Sequence, residues 1–149
     1  AFEDYAFMVS DVCEAMGIKG KDCHFYPMNA ELGGNALATV AEGNRLIIYD
    51  RTLSAKIGYD GAEMIIAHEI AHHYCGHLGK PADPRHELEA DAFAGAAARK
   101  SGKSLEQALS AASIFSQRPS RTHPERNARI QAISAGWINP ERAKNCRSR

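Results

Sequence analysis

The chain has 149 residues, of which 44% are hydrophobic and 24% are charged, and these ordinary globular values exclude a disordered, collagen-like or disulfide-dense miniprotein. Its 18 Lys and Arg residues balance 18 Asp and Glu residues, so no basic excess would draw it to nucleic acid or to an anionic membrane. No uncharged apolar run approaches the roughly 18 residues that a membrane span needs. We therefore expect one domain over residues 1–149, with no nucleic-acid partner and no membrane span.

The first third of the chain is predicted to form a helix and then strands. Apolar residues recur every three to four positions over 2–16, and Gly17 ends this helix. A short strand is predicted over 22–26, closed by Pro27. Strands over 36–41 and 45–49, separated by the turn Glu42-Gly43-Asn44, are typical of a hairpin.

From Asp50 onward the sequence pattern predicts helices, each preceded by a residue that can cap its first turn. The predicted helices cover 61–77, 84–100, 105–117, 123–135 and 140–146. Strands followed by helices are typical of an α+β fold. The predicted caps are Asp60 with Glu63, Asp83 before Pro84, Ser104 with Gln107, Thr122 with Glu125, and Asn139 before Pro140.

The four cysteines are too widely spaced for a C-x-x-C metal or redox motif. They are consistent with two disulfides in an exported protein, periplasmic or secreted, whereas four buried thiols would favour the cytoplasm. Four cysteines allow three pairings, which the sequence does not resolve. Proximity favours Cys13 with Cys23, which leaves Cys75 with Cys146.

The motif His68-Glu69-Ile70-Ala71-His72 lies inside a predicted helix. Residues four apart lie about 40° apart around a helix, so both histidines can hold one Zn²⁺. Glu69 borders the same face, where its carboxylate can accept a proton from water activated by the metal. The alternative is a surface helix with a chance match, but the apolar neighbours Met64 and Ile65 indicate a buried face, where such a cluster needs a partner.

A catalytic zinc needs a third protein ligand and a position for water. On the next predicted helix, Glu87 and Asp91 share a stripe of small residues that can approach another helix closely. We therefore expect Glu87 as the third ligand and Asp91 as the acceptor for a histidine N–H. Glu89 points away from this stripe and is predicted to face solvent near Arg85.

This combination of motifs resembles the zinc metallopeptidase family of the CAAX prenyl proteases, the HtpX heat-shock proteases and the Oma-type mitochondrial proteases. The resemblance is carried by the motif at 68–72 with His77 after it, the Glu-Leu-Glu-Ala-Asp run at 87–91, and Thr122-His123-Pro124 with Arg129-Ile130 beyond. It spans about residues 35–133 and covers no transmembrane or repeat segment, so the chain is similar to the small "minigluzincin" catalytic cores.

The resemblance implies a zincin fold of the gluzincin type, in which a small sheet packs on the motif helix. By it the zinc ligands are His68, His72 and Glu87, with Glu69 as general base and Asp91 as supporting acid. It also implies that the strand before the hairpin turn is an active-site edge strand that binds an extended peptide. The residues of that strand are Ala36, Leu37, Ala38, Thr39 and Val40.

Other polar residues carry less specific signals. His123 can sit at a helix start, donate to the oxyanion of a peptide carbonyl, or act as a fourth zinc ligand that makes the site latent. His77 is predicted to cap the motif helix and His73 to lie on the surface. Cys75 is predicted to form a disulfide or pack as a core thiol rather than to act as a metal ligand. Weaker oxyanion candidates are Tyr26, Tyr49, Tyr74, Arg126 and Arg129.

The expected function is zinc-dependent endopeptidase cleavage of unfolded or extended polypeptides. Two alternatives remain: a latent or non-proteolytic zinc module with chaperone-like or regulatory binding, and an interaction domain with a chance motif. A gain of activity in His123→Ala would favour the first alternative. Absence of stoichiometric zinc would favour the second.

Overall fold

The computed structural model describes residues 2–146, with side chains from residue 4 onward, and has the predicted α+β architecture. The two ends of the predicted 1–149 domain, residue 1 and residues 147–149, lie outside the described residues. Within them, a three-stranded mixed sheet is followed by helices. The α-helices are α1 (Phe2–Met16), α2 (Leu53–Tyr74), α3 (Pro84–Lys100), α4 (Leu105–Ala108), α5 (Arg126–Ile138) and α6 (Pro140–Ala143).

The sheet has the strand order β1-β3-β2, formed by β1 (Tyr26–Asn29), β2 (Ala36–Ala41) and β3 (Asn44–Tyr49). β1 runs parallel to β3, whereas β2 and β3 form the predicted antiparallel hairpin, with Ala41 opposite Asn44. Its two-residue turn has positive φ at both Glu42 (52°) and Gly43 (77°), the type I′ geometry that matches strand twist. β2 is therefore an edge strand, open on the side away from β3.

The predicted strand over 22–26 is wrong in position. The chain instead forms a 3₁₀ turn over Gly20–Cys23, and the strand begins at Tyr26 and contains Pro27. Proline cannot donate to a strand ladder, but β1 pairs on one side only, so the missing N–H can face away from β3. The edge position of β1 therefore accommodates Pro27, which the sequence pattern predicts to end the strand.

The motif helix α2 begins eight residues earlier than predicted and ends at Tyr74. A break at Gly58 (φ 78°, ψ 170°) separates its first turn from a segment in which residues 61–71 are all buried. The predicted capping pair of Asp60 and Glu63 is wrong. Both carboxylates instead pair with Lys103, at 3.1 and 2.7 Å from its Nζ, because a distant cation competes with the local backbone.

The C-terminal helices differ from prediction at their ends. Ser104 and Gln107 form the predicted capping box, yet α4 lasts one turn and a 3₁₀ turn over Ala112–Ile114 replaces the rest. α5 begins at Arg126, and Thr122 does not cap it, because Ser120 holds residues 120–123 in a turn. Asn139 caps α6 as predicted, but the helix ends at Ala143.

Two glycines allow α3 and α5 to pack in direct backbone contact. A Cβ on Gly95 would lie 2.0 Å from the carbonyl oxygen of Ile133, and one on Gly136 would lie 1.9 Å from that of Ala92. No side chain fits at either position. This close packing fixes α5, and with it Arg129, against the helix that carries Glu87 and Asp91.

Both favoured disulfides are present. Cys13 is bonded to Cys23, which ties α1 to the 3₁₀ turn, and Cys75 is bonded to Cys146, which ties the end of α2 to the segment after α6. Two disulfides are consistent with an oxidising compartment. Across residues 2–146, none of the helices is both long and apolar enough to cross a bilayer.

Candidate metal centre

The chemistry-bearing residues converge from two helices of the chain. His68, Glu69 and His72 lie on the buried segment of α2, and Glu87 and Asp91 lie on α3. The alanines of both helices, Ala67 and Ala71 on one and Ala90 and Ala94 on the other, are buried. Small side chains let helix axes approach closely, so polar groups on α2 and α3 can meet inside the protein.

His68, His72 and Glu87 present three ligand atoms to one point. The Nε2 atoms of the two histidines are 3.0 Å apart, and Glu87 Oε2 lies 3.0 Å from the first and 2.9 Å from the second. Ligand atoms bound at ~2.0–2.1 Å to a tetrahedral metal lie about 3.3 Å apart. The three ligand atoms therefore need to move apart only slightly to bind a metal. These residues could hold a metal ion.

The hydrogen-bond donors and acceptors of this cluster also fit a cation. Asp91 Oδ1 lies 2.8 Å from His68 Nδ1, which therefore donates its N–H, and a neutral His68 then turns an Nε2 lone pair toward Glu87. Two lone pairs facing each other at 3.0 Å need a positive charge between them. Without a metal, a proton on His68 Nε2 can supply this charge. Burial lowers the pKa of His68, but Asp91 and Glu87 outweigh burial and raise it to about 10.

Asp91 is held from its other side by Arg129. The Arg129 Nε and Nη2 atoms donate to the two carboxylate oxygens at 2.9 and 3.0 Å, and the guanidinium lies 3.8 Å above the ring of Phe115. Of the weaker oxyanion candidates only Arg129 lines the cleft described below, and its charge is engaged by Asp91. Its position fits support of the cluster.

Glu69 lies beside the three ligands in a cleft of ≈ 550 Å³. Burial raises the pKa of its carboxyl to about 7, against the opposing effects of the His68 charge and of a hydrogen bond from the backbone N–H of Ala38. A carboxyl with such a pKa can accept and return a proton near neutrality. The cleft also contains Ala36, Leu37 and Ala38 of β2, Ile65 of α2, and the segment around Phe115 and Ser120.

The hydrogen-bonding pattern of β2 points the backbone groups of alternate residues away from β3, where the Ala36 N–H donates to Asn35 Oδ1 at 2.9 Å and the Ala38 N–H bonds Glu69. Ala41 and Asn44 flank a two-residue turn and bond to each other, so Thr39 and Leu37 also bond toward β3. The backbone groups of Ala36, Ala38 and Val40 consequently face outward. Of the predicted substrate strand, Ala36 to Ala38 line the cleft, whereas Thr39 and Val40 do not.

His123 reaches the cleft from the loop before α5. Its Nε2 lies 3.2 Å from Glu87 Oε1, its Nδ1 lies 2.9 Å from the Thr122 hydroxyl, and its side chain is 51% exposed. Burial is the main cause that lowers the pKa of this imidazole. The helix-start role considered for His123 is wrong because α5 begins three residues later, and its ring faces a candidate metal ligand.

Three predictions about neighbouring residues are wrong. His73 is half-buried, with Nε2 2.8 Å from the Leu46 carbonyl oxygen, because α2 packs on the sheet. Glu89 does not face solvent near Arg85: its Oε1 lies 2.8 Å from His77 Nε2, and Arg85 pairs with Asp83. His77 does not lie in the last turn of the motif helix, which ends at Tyr74, and its Nδ1 instead lies 2.9 Å from His72 Nδ1.

The sequence contains a signal that could have located His77. Gly76 follows the helix with φ 70°, the glycine position of a Schellman motif, and the His77 N–H bonds back to the His72 carbonyl at 3.0 Å. That motif folds residue 77 over residue 72. Cys75, His77 and Glu89 also bring ligand atoms within 4.8 Å of one another, but the disulfide of Cys75 leaves no thiolate for a metal.

Comparison of the chain with protein-family models, with curated proteins and with solved structures finds no match.

Proposed function

We propose that this protein is a zinc-dependent endopeptidase with a zincin fold of the gluzincin type. The observation that carries the proposal is the convergence of two histidine nitrogens and one carboxylate oxygen within 3.0 Å of one another, beside a buried glutamate and an edge strand. Nitrogen and oxygen donors in the set His₂Glu are typical of catalytic zinc, with one position left for water or substrate. Zn²⁺ is therefore the metal that we propose.

Zinc, when bound, supplies Lewis acidity that polarises the scissile carbonyl and makes water a nucleophile near neutral pH. Glu69 accepts the proton of the attacking water and returns it to the leaving amine. No covalent intermediate with the protein is required. The buried position of Glu69, which raises its pKa to about 7, suits both halves of this proton transfer.

The open edge of β2 supports an extended polypeptide as the substrate. A peptide added to this edge would pair with the outward carbonyl groups of Ala36 and Ala38, which lie in the same cleft as Glu69. Main-chain pairing does not read side chains strongly, so an unfolded segment of broad sequence is the expected substrate class. The motif resemblance to the CAAX prenyl protease, HtpX and Oma-type family supports the same assignment, and the disulfides support a periplasmic or secreted location.

The test compares the wild type with Glu69→Gln, Glu87→Ala and the control Glu63→Gln. Glu63 is also buried on α2, but it pairs with Lys103 outside the cleft. Each protein is loaded with zinc, and the number of zinc ions bound per chain is measured. Cleavage products of casein are then detected by mass spectrometry. We expect one zinc and cleavage in wild type and Glu63→Gln, one zinc without cleavage in Glu69→Gln, and weakened zinc binding in Glu87→Ala. Equal zinc loss in Glu69→Gln and Glu87→Ala would contradict the assigned roles.

The position of His123 favours a second candidate function. Its ring nitrogen lies 3.2 Å from Glu87, so it could join the metal as a fourth ligand and make the protein a latent or non-proteolytic zinc module with chaperone-like binding. In that case wild type binds zinc without cleaving casein, and His123→Ala gains activity. If His123 instead donates to the oxyanion, His123→Ala loses activity and retains zinc.

A further inference from the structure

His72 is connected to a carboxylate on α3 through a second histidine. His72 Nδ1 lies 2.9 Å from His77 Nδ1, and His77 Nε2 lies 2.8 Å from Glu89 Oε1. The His77 side chain is 3% exposed and that of Glu89 is 17% exposed. The ring of His86 stacks on that of His77 with centroids 4.3 Å apart and planes 5° apart. Packing and the Schellman turn therefore hold His77 in one orientation.

The proton positions along this chain follow from the chemistry of its ends. An ionised carboxylate only accepts hydrogen bonds, so the His77 Nε2 carries the proton that faces Glu89. A neutral His77 then has an acceptor at Nδ1, and the proton between the two histidines belongs to His72 Nδ1. His72 consequently turns an Nε2 lone pair toward His68 and Glu87, as a metal ligand must.

We propose that Glu89 and His77 together position His72 by fixing its tautomer and ring orientation for the metal. This inference rests on the proposed metal centre and adds two positioning residues to it. The two ligands are then oriented by different means. Asp91 contacts His68 directly, whereas Glu89 acts on His72 through the ring of His77.

The test measures zinc affinity by competition with a chromophoric chelator. His77→Leu removes the acceptor for His72, and we expect zinc affinity to fall by about tenfold or more. His77→Gln supplies an amide oxygen toward His72 and an NH₂ toward Glu89, and we expect it to recover most of that loss. His24→Gln is the control, because His24 is an exposed histidine that does not line the cleft. Melting temperatures of each variant establish that it is folded.

A second measurement reads the histidine tautomers directly. Long-range ¹⁵N–¹H NMR of zinc-loaded wild type should show the proton on Nδ1 of His72 and on Nε2 of His77. In Glu89→Leu we expect the His77 tautomers to mix and zinc affinity to fall. Equal affinities of His77→Leu and wild type, failure of His77→Gln to recover affinity, or the opposite His77 tautomer would overturn the proposal. Absence of zinc binding by the wild type would overturn the proposed metal centre as well.

Discussion

Asp91 accepts hydrogen bonds on one side from His68 and on the other from Arg129, with its Oδ1 2.8 Å from His68 Nδ1 and 3.0 Å from Arg129 Nη2. One buried carboxylate thus joins α2, α3 and α5. Because a single group orients a candidate metal ligand and neutralises a buried arginine, metal affinity and fold stability should change together when Asp91 is altered.

Asp91→Asn tests this coupling. The substitution keeps the side-chain shape but leaves the Arg129 charge uncompensated, so we expect the free energy of unfolding to fall by about 3 kcal/mol or more. Zinc affinity should fall by roughly 10- to 100-fold. Urea unfolding and chelator competition measure the two effects, and Glu106→Gln, an exposed acid on α4, serves as a control. Loss of one property without the other would contradict the shared role.

The glycines between α3 and α5 give a prediction about packing. Gly95→Ala and Gly136→Ala each place a methyl within 2.0 Å of a carbonyl oxygen, so the two helices must separate. We expect the free energy of unfolding of each variant to be about 3 kcal/mol lower than that of the wild type, at the upper end of overpacking costs. Gln131→Ala on the exposed side of α5 should change it by less than about 0.5 kcal/mol. Wild-type melting temperatures in both glycine variants would show that the helices are not in such close contact.

The two disulfides should differ in their contribution to stability. Cys75 and Cys146 are 71 positions apart, whereas Cys13 and Cys23 are 10 apart. The chain-entropy model gives about 4 kcal/mol for closing the longer loop and about 3 kcal/mol for the shorter one. Paired Cys→Ser variants, unfolded in urea, should therefore rank in that order. The reverse order would indicate that residual structure in the unfolded chain decides the effect.

Asp50 gives a prediction about acid stability. The N–H groups of Gly34, Thr52 and Leu32 hydrogen-bond its carboxylate and, together with the Thr52 hydroxyl, hold its pKa well below the usual range. A depressed carboxyl pKa adds stability that is complete above the unfolded pKa of about 3.9 and declines as the pH falls below it. The free-energy gap between wild type and Asp50→Asn should therefore shrink between about pH 4 and pH 2. A constant gap across that range would assign the effect to shape alone.

Local patterns in the sequence predicted what local physics decides. Asp83, Ser104 and Asn139 cap their helices as expected, because a capping side chain acts within three residues of the backbone groups it bonds. Helical periodicity also indicated that Glu87 and Asp91 face the same side. In the structure both carboxylates contact His68.

Contacts between distant segments explain the incorrect predictions. The periodicity of α3, taken alone, predicts that Glu89 faces solvent. The turn after α2 instead brings His77 into contact with it. Asp60 satisfies a capping pattern, but Lys103, more than 40 positions later, pairs with it. The sequence pattern predicts that Pro27 ends a strand. The strand order shows that β1 is an edge strand, where a proline can be accommodated. In each case the deciding partner is absent from the local window.

The hydrogen bond from Ala38 to Glu69 bears on self-association. An open strand edge is a template on which a second copy of a chain can add its own strand and aggregate. β2 is only six residues long, and one of its outward N–H groups already bonds a buried carboxylate inside a cleft. A second copy would have to fit its strand into that cleft and displace the carboxylate from the Ala38 N–H. The Glu69 carboxylate thus occupies part of a sheet edge that would otherwise be open to edge-to-edge pairing.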